Sequence, residues 1–189
     1  MRITICGIPE LGQHCEAGVT HVLSILDPAW PDPEAFADFP RHRREALRFH
    51  DIIAPTQGAV LPTRDDVARL LEFGREVNEA GPGAHILIHC HAGISRSTAS
   101  AALLLAQADP TRSPEEIFAE IGRLRPRAWP NLLLLEFGEE ALGRTGEIVP
   151  AVGLLYRRQV YADPSFAQFM RDAGRRREVV LAEQYRGAL

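Results

Sequence analysis

The chain has 189 residues, 46% of them hydrophobic and 24% charged, with a formal net charge of −4; that is enough for one well-buried domain and argues against general disorder. Its 21 basic residues are all arginine, and an acidic balance without aromatic-interleaved basic tracts speaks against nucleic acid as a partner. No window reaches 18 consecutive apolar residues, and MRITICGIPE has too short an apolar run for a signal peptide, so the expected setting is cytoplasmic with no membrane partner.

RITICG at the start alternates as a strand does, and Pro9 to Ala17 can form a short helix that Gly18 would cap. A buried strand is expected over 19–26, followed by a four-proline loop over 27–40 with room for one helical turn. A third strand is expected over 46–52. Arg41, Arg43 and Arg44 just before it read as a solvated loop, with acidic residues flanking a substrate as their other use. Thr63 can cap a helix whose first turn carries Asp65 and Asp66 and whose apolar stripe runs through Val67, Leu70, Leu71 and Val77.

Gly81-Pro82-Gly83 stops that helix, and AHILIH over 84–89 reads as a strand ending at Cys90. From Arg96, STASAALLLAQA fits a central buried helix. Ser113-Pro114-Glu115-Glu116 is a capping box that opens a helix to about Leu124, and another helix fits Asn131 to Leu142. Strands and helices alternating through short connections define an α/β fold: a central, mostly parallel sheet of about 4–5 strands flanked by helices. This core is expected over 1–146. A C-terminal helical extension over 147–189, packed on the same domain, is expected as two helices, about 149–160 and 165–185. Arg175 to Arg177 are expected on the solvated face of the second.

The stretch HCHAGISRST, residues 89–98, carries the chemistry. A short loop between a strand's carboxyl end and a helix N-terminus gathers backbone N–H groups into an anion-binding concavity. Gly93 permits the tight curvature, and Arg96 offers a planar fork to two phosphoryl oxygens. The same amides, the helix dipole and Arg96 all favour a Cys90 thiolate, a nucleophile under a bound phosphate. Cys6 and Cys15, with Cys90, make an odd set of three without a secretion signal, so free thiols are expected. Adjacent residues on an extended chain point to opposite sides, so His89, Cys90 and His91 do not suit one metal ion.

His89-Cys90-His91-Ala92-Gly93-Ile94-Ser95-Arg96-Ser97 resembles the H-C-x-x-G-x-x-R-S/T signature of the protein tyrosine and dual-specificity phosphatase superfamily, and Arg125-Pro126 with Pro130-Asn131 is similar to a second segment of its dual-specificity members. The resemblance spans about Val19 to Leu142. It implies hydrolysis of phosphomonoesters through a phosphocysteine, without metal or other cofactor, on a phosphotyrosine-containing protein or another phosphomonoester. Cys90 would be the nucleophile and Arg96 the phosphate ligand. Ser97 would support the departing sulfur. His91, Ala92, Gly93, Ile94 and Ser95 would line the phosphate site, and His89 and Asn131 would hold the loop. The acid that protonates the leaving oxygen would be Asp51, with Asp65 or Asp66 as alternatives. The variable loop positions contain no arginine, which disfavours highly phosphorylated lipids. A rhodanese-like sulfur transferase or arsenate reductase, and a non-catalytic phosphopeptide-binding module, are the other readings of such a loop.

Overall fold

A computed structural model describes residues 2–185 of the chain. Four strands, β1 (Arg2–Gly7), β2 (His21–Leu26), β3 (Arg43–Arg48) and β4 (His85–Cys90), form one parallel sheet in the order β1-β4-β2-β3. Interior β4 is buried at all six positions. The helices are α1 (Arg64–Glu79), α2 (Arg96–Ala108), α3 (Pro114–Leu124), α4 (Leu132–Ala141), α5 (Ile148–Ala162), α6 (Pro164–Asp172) and α7 (Arg176–Glu183). No helix among the described residues is long and apolar enough to cross a membrane.

The two faces of the sheet are covered unequally. Ile5, Leu23, Ile25, Ile86, Ile88 and Cys90 join the main core beneath the helices, including Val152, Tyr156, Met170 and Val179 from the C-terminal segment. Cys6, Val22 and Leu87 face the other way, under 3-10 turns at Ile8–His14 and Glu34–Asp38. The C-terminal helices are anchored by Tyr156, which stacks on Trp129 at 4.4 Å between ring centroids; neither ring has any exposure. Each such ring removes on the order of 150–250 Å² from water, so truncating either to alanine would cost about 3–5 kcal/mol.

Local signals behave as physical chemistry requires at α1 and α3, where Thr63 and Ser113 accept from the N–H groups of Asp66 and Glu116 in reciprocal capping boxes. Three expectations need correction. The third strand is Arg43–Arg48, not 46–52, because His21 to Leu26 pair with Arg43 to Arg48 in register. As an edge strand it tolerates charge, and its arginines are engaged within the fold. Arg43 pairs with Glu76 at 3.2 Å, while Arg44 donates to Ser24 Oγ at 3.0 Å and lies over the Phe36 ring. Among the described residues the extension holds three helices rather than two, since Gly174 at φ +75° turns the chain between α6 and α7. That turn buries Arg175, which is therefore not on a solvated face.

Candidate active site

Strand β4 delivers Cys90 to the edge of a loop, 91–95, that feeds α2. Every carbonyl of that loop is taken by a neighbour. Ile8 N–H donates to His91 O at 3.0 Å, Trp129 N–H to Ile94 O at 2.9 Å and Asn131 N–H to Ser95 O at 3.3 Å. The guanidinium of Arg125 donates to Ala92 O and Gly93 O at 3.1 and 3.0 Å. None of the backbone N–H groups of residues 92–95 donates to another described residue. With the oxygens fixed outward, the donors are left to the concave side, the arrangement an oxyanion needs. Gly93 at φ +69° makes the curl possible, and a Cβ there would sit 2.5 Å from the carbonyl carbon of Cys6 and 2.6 Å from Gly7 N.

Cys90 is 2% exposed, its Sγ 3.3 Å from the Oγ of fully buried Ser97. Arg96, at the first turn of α2, donates through Nη1 to Asp27 Oδ1 and to Phe49 O, both at 2.7 Å. Its buried Nε has no partner among the described residues. One edge of the guanidinium is thus fixed and another donor is uncommitted, as a phosphoryl oxygen would require.

The supporting histidines divide between the faces. His89 is within 2.7 Å of Ser24 Oγ, and burial, reinforced by nearby Arg44, pushes its pKa down to about 3. It is neutral at physiological pH and braces the strand from the side opposite Cys90. His91 accepts from Asp27 N–H at 3.3 Å and packs on the Trp30 ring; burial and then Arg96 shift it downward too. Cys6, pushed up to about 12 mainly by burial, and Cys15 lie with the core on the far face of the sheet. A disulfide from either to Cys90 would need backbone movement.

Asp51, beyond the end of β3, is brought to the loop. Its Oδ1 accepts from Ser95 Oγ at 2.8 Å, Asn131 Nδ2 at 2.9 Å and Arg175 Nη1 at 3.1 Å. Asp65 and Asp66 remain in the first turn of α1, where Asp66 accepts from Thr63 N–H. Asp51, Cys90, His91, Ala92, Ile94, Ser95 and Arg96 line one cavity of about 400 Å³, walled across by Arg127, Trp129, Phe166, Phe169, Met170 and Arg175. Asp27, which shows in the sequence only as an acid following a strand, and the whole α6 wall are functional neighbours that carry no local signal. Nothing in the sequence near Phe166 or Arg175 marks them as neighbours of residue 90.

The chain has the α/β fold of the cysteine-based tyrosine and dual-specificity phosphatases. It is similar to the crystal structure of human DUSP28 at a TM-score of 0.56 and 22% identity, over 75% of this chain and 93% of that one. Tk-PTP in its active form gives a TM-score of 0.54 and 22% identity over 76% and 93%. Cydia pomonella PTP-2 phosphatase gives 0.56 and 19% over 74% and 85%. No family model matches the chain, and no curated protein matches it.

Proposed function

We propose that the protein is a metal-independent cysteine phosphatase acting on phosphomonoesters, with aryl phosphates such as phosphotyrosine foremost. The observation that carries this reading is the loop over Cys90, whose carbonyls are all bound outward and whose 92–95 amides donate to no other described residue. Cys90 Sγ attacks phosphorus in line, forming the S–P bond as the ester P–O bond breaks, while the amides and Arg96 stabilise the equatorial oxygens. Asp51 gives its proton to the departing oxygen. Water then attacks the phosphocysteine with Asp51 as base, phosphate leaves, and Ser97 hydrogen-bonds the sulfur as it departs. Residues 1–146 supply the catalytic domain, and the extension assigned to 147–189, described as far as residue 185, offers Phe166 and Phe169 as a flat wall to an aromatic ring. The expected setting is the cytoplasm.

The test is hydrolysis of p-nitrophenyl phosphate in chelator by the wild type and by folded Cys90→Ser. Turnover that survives chelation in the first and disappears in the second is expected. No turnover by folded wild type would reject the reading and move attention to thiosulfate and arsenate assays and to phosphopeptide binding without hydrolysis.

A further inference from the structure

The C-terminal segment sends one charged side chain into the catalytic cavity. Arg175 follows the Gly174 turn and is 4% exposed. Its Nη2 donates to Glu178 Oε1 at 2.6 Å and to Ser95 Oγ at 3.0 Å, and its Nη1 donates to Asp51 Oδ1 at 3.1 Å. Glu178 has no exposure and is itself immobilised, accepting from the Trp129 indole N–H and from Leu132 N–H at 2.9 Å. The guanidinium is therefore oriented from behind by a buried carboxylate tied to the core, which also balances its charge.

The consequence falls on Asp51. Ser95 has a single hydroxyl proton and spends it on Asp51 Oδ1, so its oxygen must accept from Arg175; the arginine fixes the hydroxyl as well as touching the carboxylate. Oδ1 then takes three donors, from Ser95, Asn131 and Arg175, whereas Oδ2 takes none from any described residue. An oxygen accepting three hydrogen bonds has no lone pair to hold a proton, so a proton on Asp51 resides on Oδ2.

We propose that Arg175 is a positioning residue for the acid step: by saturating Oδ1, directly and through Ser95, it commits the transferable proton of Asp51 to Oδ2, making the C-terminal segment part of the catalytic apparatus. The inference rests on the reading above that Asp51 is the acid. It concerns proton delivery, and it leaves the attack by Cys90 untouched.

Proton delivery matters most when the departing oxygen is basic, so the experiment is a leaving-group series from p-nitrophenyl to phenyl phosphate with the full chain. In Arg175→Gln, kcat for phenyl phosphate is expected to fall about 100-fold and that for p-nitrophenyl phosphate less than about 5-fold, with KM unchanged. Asp51→Asn should steepen the series in the same way, and adding Arg175→Gln to it should steepen it no further. Arg175→Lys should restore phenyl phosphate turnover only in part, since one ammonium cannot span Asp51, Ser95 and Glu178. Because Arg175→Gln strands a buried carboxylate, Arg175→Gln/Glu178→Gln carries the same measurement if the single variant does not fold. Equal losses for both substrates, or a change confined to KM, would overturn the proposal while leaving Asp51 as the acid. A flat series in Asp51→Asn with Cys90-dependent turnover would remove the acid assignment and this proposal together, yet leave the cysteine phosphatase standing.

Discussion

The loop over Cys90 and the turn at Gly174 each present an arginine to the same cavity, but they are held in opposite ways. The loop is fixed by its own backbone: its carbonyls are bound by Ile8 near the start of the chain and by Arg125, Trp129 and Asn131 from one distant segment. Arg175 is fixed by carboxylates, Glu178 behind it and Asp51 before it. A backbone-held element tolerates changes in its side chains and is broken by one misplaced Cβ. A charge-held element tolerates changes in its loop and is broken by one missing charge. Substitutions can separate the two modes.

Of the substitutions that separate loop from turn, the largest effect on stability is expected from Glu178→Ala, which leaves Arg175 as a buried cation with only Asp51 as counter-ion. A loss of about 3–5 kcal/mol in urea unfolding is expected. A loss under about 1 kcal/mol would mean that the turn is held by its apolar contacts instead. On the loop side, Gly93→Ala should cost about 3 kcal/mol or a matching loss of turnover, because the left-handed backbone and the clash with Cys6 both oppose it. Ala92→Gly, at a position whose backbone does the holding, should leave turnover within a few-fold, and a larger fall would weaken the contrast drawn here.

His89 gives the comparison a pH axis. In the unfolded chain it titrates near about 6.5, and in the fold its pKa is pushed down to about 3 by burial and Arg44. The unfolded state therefore binds a proton that the folded state refuses. The contribution is fully present above pH ~6.5 and declines as pH falls toward the folded value, by about 2 kcal/mol between pH 7 and 5. His89→Gln should remove that part of the slope, and parallel wild-type and variant curves would show that the strand is not braced in this way.

The smallest effect is expected at Phe169, which is 63% exposed and lines the cavity. Phe169→Ala should leave stability within ~0.5 kcal/mol and raise KM for phosphotyrosine peptides a few-fold while sparing alkyl phosphates. Equal KM changes for both substrate kinds would take the aromatic wall out of specificity.

Much of the fold was legible because its signals are local. The cap residue Thr63 and the capping box at Ser113 set helix starts, Gly81-Pro82-Gly83 set a stop, and the apolar run of β4 placed Cys90 at a strand end. The edge strand was misplaced since RREALR carries charge on a strand that pairs on one side only. Arg175 to Arg177 read as a solvated run, and composition alone could not reveal that a Gly174 turn faces Arg175 inward while Arg177 stays half exposed beside Glu136.

What the sequence by itself determined was the nine-residue stretch from His89 to Ser97, where cysteine, curl and arginine follow one another so closely that strand and helix propensities suffice to place them. Only the tertiary structure decided which acid meets that loop and what holds it. Asp51, Asn131 and Arg175 are distant in the chain, and they converge because the parallel sheet brings its strand ends to one edge and the buried Trp129, Tyr156 and Glu178 seat the C-terminal helices against them. Proximity of that kind arises from burial and charge pairing across the fold, which no short window of residues encodes.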